Sequence, residues 1–176
     1  MKRIVKIISL CAVAVILAFG FGACIAREQS AVGIATAIWE RNGGAEFGWT
    51  VYPTDVAELE SYRPLGWEEA RRHNVVAMAT LIREDLELSD TLDRTMVMAY
   101  VWEFASTADA RGFIAALNAD TLLFSQTNVY RGRFALSGLR YPAAEPNDDG
   151  THNIYIIRES RNDYDDLVGK FRWAVR

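Results

Sequence analysis

Residues 94 to 104 read RTMVMAYVWEF. Successive side chains of a strand point to opposite faces of its sheet. Here Met96, Met98, Tyr100, Trp102 and Phe104 fall on one face, and Val97, Ala99 and Val101 on the other. A strand that is apolar on both faces belongs in the middle of a sheet with cover on each side. This stretch therefore sets the architecture around it. VVAMATLIRE, residues 75 to 84, reads as a second strand, and the acidic DLELSDTLD between them as a solvated hairpin loop.

The flanking segments fill in the plan. In STADARGFIAALN, Ser106 and Asp109 have capping-box spacing, with Asp in place of Glu. Ala110, Phe113, Ile114 and Leu117 then fall at i, i+3, i+4 and i+7, so a helix is expected over 106–123, running to about Leu123 or Phe124. Upstream, AVGIATAIWE is apolar and fits helix or strand. RNGG marks a turn with Gly43 and Gly44 free to take positive φ. EFGWTVY, ending at Pro53, suits a short or edge strand. Thr54 is placed to cap a short helix through DVAELESY, stopped by Pro64, and GWEEARRH gives another helix ending near Asn74. Downstream, three strands are expected. NVYRGRFALSGLRY carries Tyr130, Phe134 and Leu136 on one face and Arg131 and Arg133 on the other. THNIYIIRE follows the PNDDG turn. YDDLVGKFRWAV sends Leu167, Phe171, Trp173 and Val175 to one side. The expected fold is α+β, a mostly antiparallel sheet with the 106–123 helix packed on one face. It forms one domain over 33–176, after a tether at 24–32.

Residues 1 to 23 have another character. MKRIVK is a cationic start, IISLCAVAVILAF an apolar run, and GFGAC a small-residue end, the order of a secretory signal. Phe21, Gly22, Ala23 and Cys24 resemble the bacterial lipobox, with Phe21 where Leu is usual. The resemblance implies that Cys24 becomes the diacylated, N-acylated first residue of an exported lipoprotein, held stably because several chains anchor it. Two other readings stand beside it. Cleavage after Ala26 fits the small residues Cys24 and Ala26. An uncleaved anchor fits the span from Ile7 to Ala26. All three put residues 27 to 176 outside the cytoplasm, facing the periplasm or the cell exterior.

Composition limits the chemistry. Cys11 and Cys24 are the only cysteines, so the folded domain has no disulfide, thiolate metal site or Cys nucleophile. Removing residues 1 to 23 takes away three basic and no acidic residues, moving the formal charge from -4 to -7. An acidic domain without a basic block is a poor nucleic-acid binder. The two histidines, His73 and His152, lack metal-ligand spacing. His73 reads better as a helix C-terminal cation. Asp148 with Asp149, and Asp163 with Asp165 and Asp166, read as solvated turns. No G-x-S-x-G elbow, phosphate loop or dinucleotide fingerprint occurs, so no cofactor is called for.

Candidate ligand contacts are Arg131 and Arg133, which share an expected strand face and can bind a carboxylate or phosphate. Arg140, Arg158, Arg161 and Arg172 lie in neighbouring segments, and pairing with Glu159 and Asp166 is the plainer use of these arginines. Trp39 and Trp67 are the tryptophans least fixed by strand patterns, and open to stacking on a ligand. The leading expectation is a non-catalytic domain binding an envelope protein or small ligand, tethered to the membrane by the N-terminal lipid or anchor. A dispersed acid/base enzyme site would draw on His73, His152, Glu103 or Asp85. VMAYVWEFASTADARGFIAAL also resembles the strand-then-helix unit of ferredoxin-like dimers, a pattern shared by many folds that fixes no site.

Overall fold

The computed structural model describes residues 29–84, 95–119, 128–140 and 154–176. In chain order these form α1 (Ala31–Arg41), a 3-10 turn (Gly44–Phe47), β1 (Trp49–Thr54), α2 (Val56–Tyr62), α3 (Trp67–Arg72), β2 (Val75–Glu84), β3 (Thr95–Phe104), α4 (Thr107–Ala119), β4 (Val129–Arg131), β5 (Phe134–Arg140) and α5 (Ile154–Ala174). The strands make one antiparallel sheet in the order β1-β2-β3-β5-β4. This is the expected α+β class, and β3 lies at its centre. From β1 to β4, with α2 and α3 taken together, the succession runs β-α-β-β-α-β, as in ferredoxin-like folds, but β1 lies antiparallel beside β2, so the two strands do not form a parallel β-α-β crossover.

Both faces of the sheet are covered, as the pattern of β3 demanded. Ala79, Leu81, Val97, Ala99, Val101, Phe134 and Leu136 pack under α1 and α5. Met78, Tyr100, Trp102, Phe104 and Ala135 pack against α2, α3 and α4. On α4 the buried residues are Ala110, Phe113, Ile114 and Leu117, the expected stripe. Its capping box forms: the Asp109 N–H donates to Ser106 Oγ at 3.2 Å, and that hydroxyl donates to Asp109 Oδ2 at 2.5 Å. The ambiguous segment 31–41 is helical, capped by Ser30. Pro53 lies on edge strand β1. The Glu84 N–H bonds the Gly48 carbonyl, so in this register Trp49, Val51 and Pro53 turn their backbone groups outward. The missing N–H of Pro53 costs the sheet nothing there.

Several expectations are corrected. The cap of α2 is Asp55, whose Oδ1 accepts from the Ala57 N–H at 3.3 Å, while Thr54 remains in β1. The single strand expected over 128–141 is a hairpin across its described part. Arg131 pairs with Phe134, leaving Gly132 and Arg133 as a two-residue loop, with Gly132 at φ 56°. Such tight hairpins favour glycine because its φ can be positive. The last two expected strands are one helix, α5. Tyr164, Leu167, Val168, Phe171, Ala174 and Val175 are buried at 3.6-residue spacing, and Trp173 faces solvent. Ordered structure also starts before residue 33, because Ala31 opens α1 and Gln29 is already bonded to the rest of the domain. The loop 85–93 and the helix end near Leu123 or Phe124 lie outside the described residues.

Candidate functional site

Two places gather the singled-out side chains. The first is the start of the folded domain. Glu103 sits on the α1 side of β3, and its residue is only 8% exposed. One carboxylate oxygen accepts from the Ala31 N–H at 2.9 Å, meeting an otherwise unpaired donor of the first turn of α1. The other lies 3.0 Å from Arg133 Nη2. That same nitrogen donates to the Gln29 carbonyl at 3.2 Å. The Gln29 side chain closes the ring: its Nε2 donates to the Ala174 carbonyl at 2.7 Å, and its Oε1 accepts from the Arg176 N–H at 3.0 Å. The point where the N-terminal segment joins the domain is thus fixed to α1, β3, the β4–β5 hairpin and the end of α5.

The second place is an open depression of about 360 Å³ lined by Thr36, Trp39, Ala45, Trp49, Thr50 and Val51. It lies where α1 meets the edge strand. The Trp39 Nε1 donates to the Trp49 carbonyl at 2.9 Å. This holds the indole and occupies an outward-facing acceptor of β1. The ring fits because Gly44 has no side chain: a Cβ there would stand 2.7 Å from the indole. The lining offers an aromatic face, two hydroxyls and the outward backbone of Val51. It contains no titratable side chain, so it provides stacking and hydrogen bonding but no proton transfer.

The structure separates the other candidates. Trp67 is buried among Phe113, Leu117 and the second core, with no hydrogen-bond partner for its Nε1 among the described residues. It is core and does not reach the Trp39 depression. Arg131 and Arg133 do not form a shared ligand clamp. Arg131 donates to the Arg172 carbonyl on α5, whereas Arg133 serves Glu103 and Gln29. Glu103 is committed through both oxygens. His73 is the C-cap of α3, with its ring against Gly112, where a Cβ would stand 2.6 Å away. Asp163 pairs with Arg83, and Asp166 with Lys170. Both aspartates lie in α5, so the expected turn there is corrected. No group of three or more His, Cys, Asp or Glu among the described residues is arranged to hold a metal. Cys24, Asp85, Asp148, Asp149 and His152 lie outside the described residues, as do the side chains of Arg140, Arg158, Glu159 and Arg161. No helix among the described residues is long and apolar enough to cross a membrane.

Sequence reading missed Gln29 and the packing of Trp39 on Gly44, although the turn with positive φ at Gly43 and Gly44 is as expected. A glycine pair suggests a turn, but not which ring lies against it. No family model matches the chain, and comparison with curated proteins and with solved structures gives no significant similarity.

Proposed function

We propose that this chain is an exported domain, held at a membrane by lipid on Cys24, that binds a small ligand or a segment of an envelope protein without transforming it. The observation that carries the binding role is the lining of the Trp39 depression. An indole fixed by its own hydrogen bond, two threonine hydroxyls and an outward backbone unit suit a flat, partly apolar group. The tethered arrangement draws support from the N-terminal signal pattern and from the short distance along the chain between Cys24 and Gln29, the first described residue, which is bonded to the domain.

Site-specific photo-crosslinking in cells tests the binding role. A probe at Thr50 is expected to capture a discrete product, reduced at least severalfold by Trp39→Ala. The same probe at Arg72, exposed on the opposite layer, is expected to give none. Equal capture at both positions, or capture indifferent to Trp39, would exclude the depression as the binding site. Intact mass of the membrane-fraction protein tests the anchor, and an unacylated, unprocessed N-terminus would sink it.

A further inference from the structure

Around the Gln29 junction lies a face whose charge opposes that of the whole domain. Arg172 and Arg176 are exposed at the end of α5, whose Ala174 carbonyl and Arg176 N–H both bond Gln29. Arg131 reaches across from the hairpin to the Arg172 carbonyl. Trp173 is 51% exposed between them, and the Arg41 guanidinium stacks over its ring at 4.4 Å. Among the described residues, none of Arg41, Arg131, Arg172 and Arg176 is paired with a carboxylate. The ion pairs there involve Arg71, Arg72, Arg83, Arg133 and Lys170 instead. A domain of formal charge -7 after loss of residues 1 to 23 has thus gathered four arginines and a half-exposed tryptophan on one side.

We infer that this arginine–tryptophan face docks onto an anionic phospholipid surface, with Trp173 at the headgroup level. The inference rests on the tethered reading for its geometry. Only four residues, Ile25 to Glu28, separate the lipid-bearing position from Gln29, five Cα-to-Cα steps in all. Fully extended, they span about 18 Å. So short a leash, fixed at Gln29, brings the surrounding face to the membrane first. The charge distribution acts in the same direction. Lipid phosphates attract the arginines and repel the acidic remainder, which selects one orientation. Tryptophan favours the interface because its ring is apolar while its N–H stays hydrated, and arginine can snorkel beside it. A protein partner would use the same face differently, by burying Trp173 in a dry pocket with no need of lipid charge.

The test uses the full-chain protein isolated from membranes and reconstituted into phosphatidylcholine vesicles with or without brominated phosphatidylglycerol. Brominated phosphatidylcholine serves as the matched neutral quencher. The emission missing in Trp173→Phe reports Trp173. Docking predicts that this component is quenched in anionic vesicles, escapes quenching in neutral ones, and recovers as salt screens the attraction. Each of Arg131→Gln, Arg172→Gln and Arg176→Gln is expected to lower the docked-to-undocked ratio about fivefold. The salt series on the unaltered chain reads the same effect without any risk to folding. Intact mass of the same preparation reads the anchor separately. An acylated chain whose Trp173 is unquenched, or quenched equally in neutral lipid, overturns docking and leaves the anchor standing. An unacylated chain with charge-dependent quenching upholds docking and removes the anchor. Protection of Trp173 that requires added envelope protein and ignores lipid charge overturns docking in favour of a protein contact.

Discussion

At the scale of single residues, Glu103 shows how a charge is used inside an apolar strand. It is the one carboxylate of β3, and its burial is tolerable because both oxygens are occupied, one by a helix N-terminus and one by a guanidinium. Glu103→Ala should therefore cost more than a lost surface pair. We expect a loss of about 2 kcal/mol in denaturant unfolding, below the value for a fully buried pair because the Arg133 side chain keeps contact with water. Glu103→Gln, which still accepts from Ala31, should lose less. A loss within about 0.5 kcal/mol for Glu103→Ala would show that the contacts carry no net stability. Asp109 makes a second, pH-dependent contribution. The Ser106 hydroxyl, then the Asn74 amide, hold its carboxyl below the ordinary aspartate range, with the positive field of His73 adding to them. A group whose folded pKa is depressed gives its full stabilisation above the unfolded pKa and loses it as pH falls through the folded one. The first turn of α4 should accordingly loosen in amide exchange as pH drops below about 4. Ser106→Ala should already be loosened at neutral pH and should flatten that dependence.

At the scale of elements, the C-terminal segment is the instructive case. Its tyrosines, isoleucines and valine favour strand by propensity, and a window of alternate residues finds Leu167, Phe171, Trp173 and Val175 on one side. The adjacent pairs Leu167–Val168 and Ala174–Val175 are the helical signal, because neighbours can share a buried stripe on a helix but not on a strand. What accepts the helix is on the sheet. Ala99 and Gly138, partners across β3 and β5, are small positions on the strands that α5 packs against, and at Gly138 the Tyr164 ring fills the space of a side chain. A Cβ there would lie 2.2 Å from the ring and 2.9 Å from the Met98 carbonyl oxygen. Gly138→Ala should cost about 2 kcal/mol or more in urea unfolding by overpacking. In a Tyr164→Ala background the same change should cost clearly less, since the clash is shared with the removed ring. Additive losses in the double variant would place the strain elsewhere.

At the scale of the whole molecule, the sequence by itself determined the class of fold and the position of its centre. A strand apolar on both sides, a second apolar strand set off from it by an acidic loop sequence, and a capped 3.6-period helix each carry their own local physics, so β2, β3 and α4 were legible without knowledge of their neighbours. The same holds for the absence of cysteine from the folded part and for its acidic charge. The candidate site was legible only in part. Trp39 and Trp67 give the same signal in sequence, yet one lines an open depression and the other is packed in the core. Arg131 and Arg133 sit two apart in an apparent strand, yet Gly132 turns the chain between them and sends them to different partners. Those outcomes, like the helical state of the C-terminal segment and the joining of Gln29 to the far end of the chain, were decided by tertiary structure. Each depends on contacts between residues distant in sequence, and the free energy of such contacts exists only once the layers have packed.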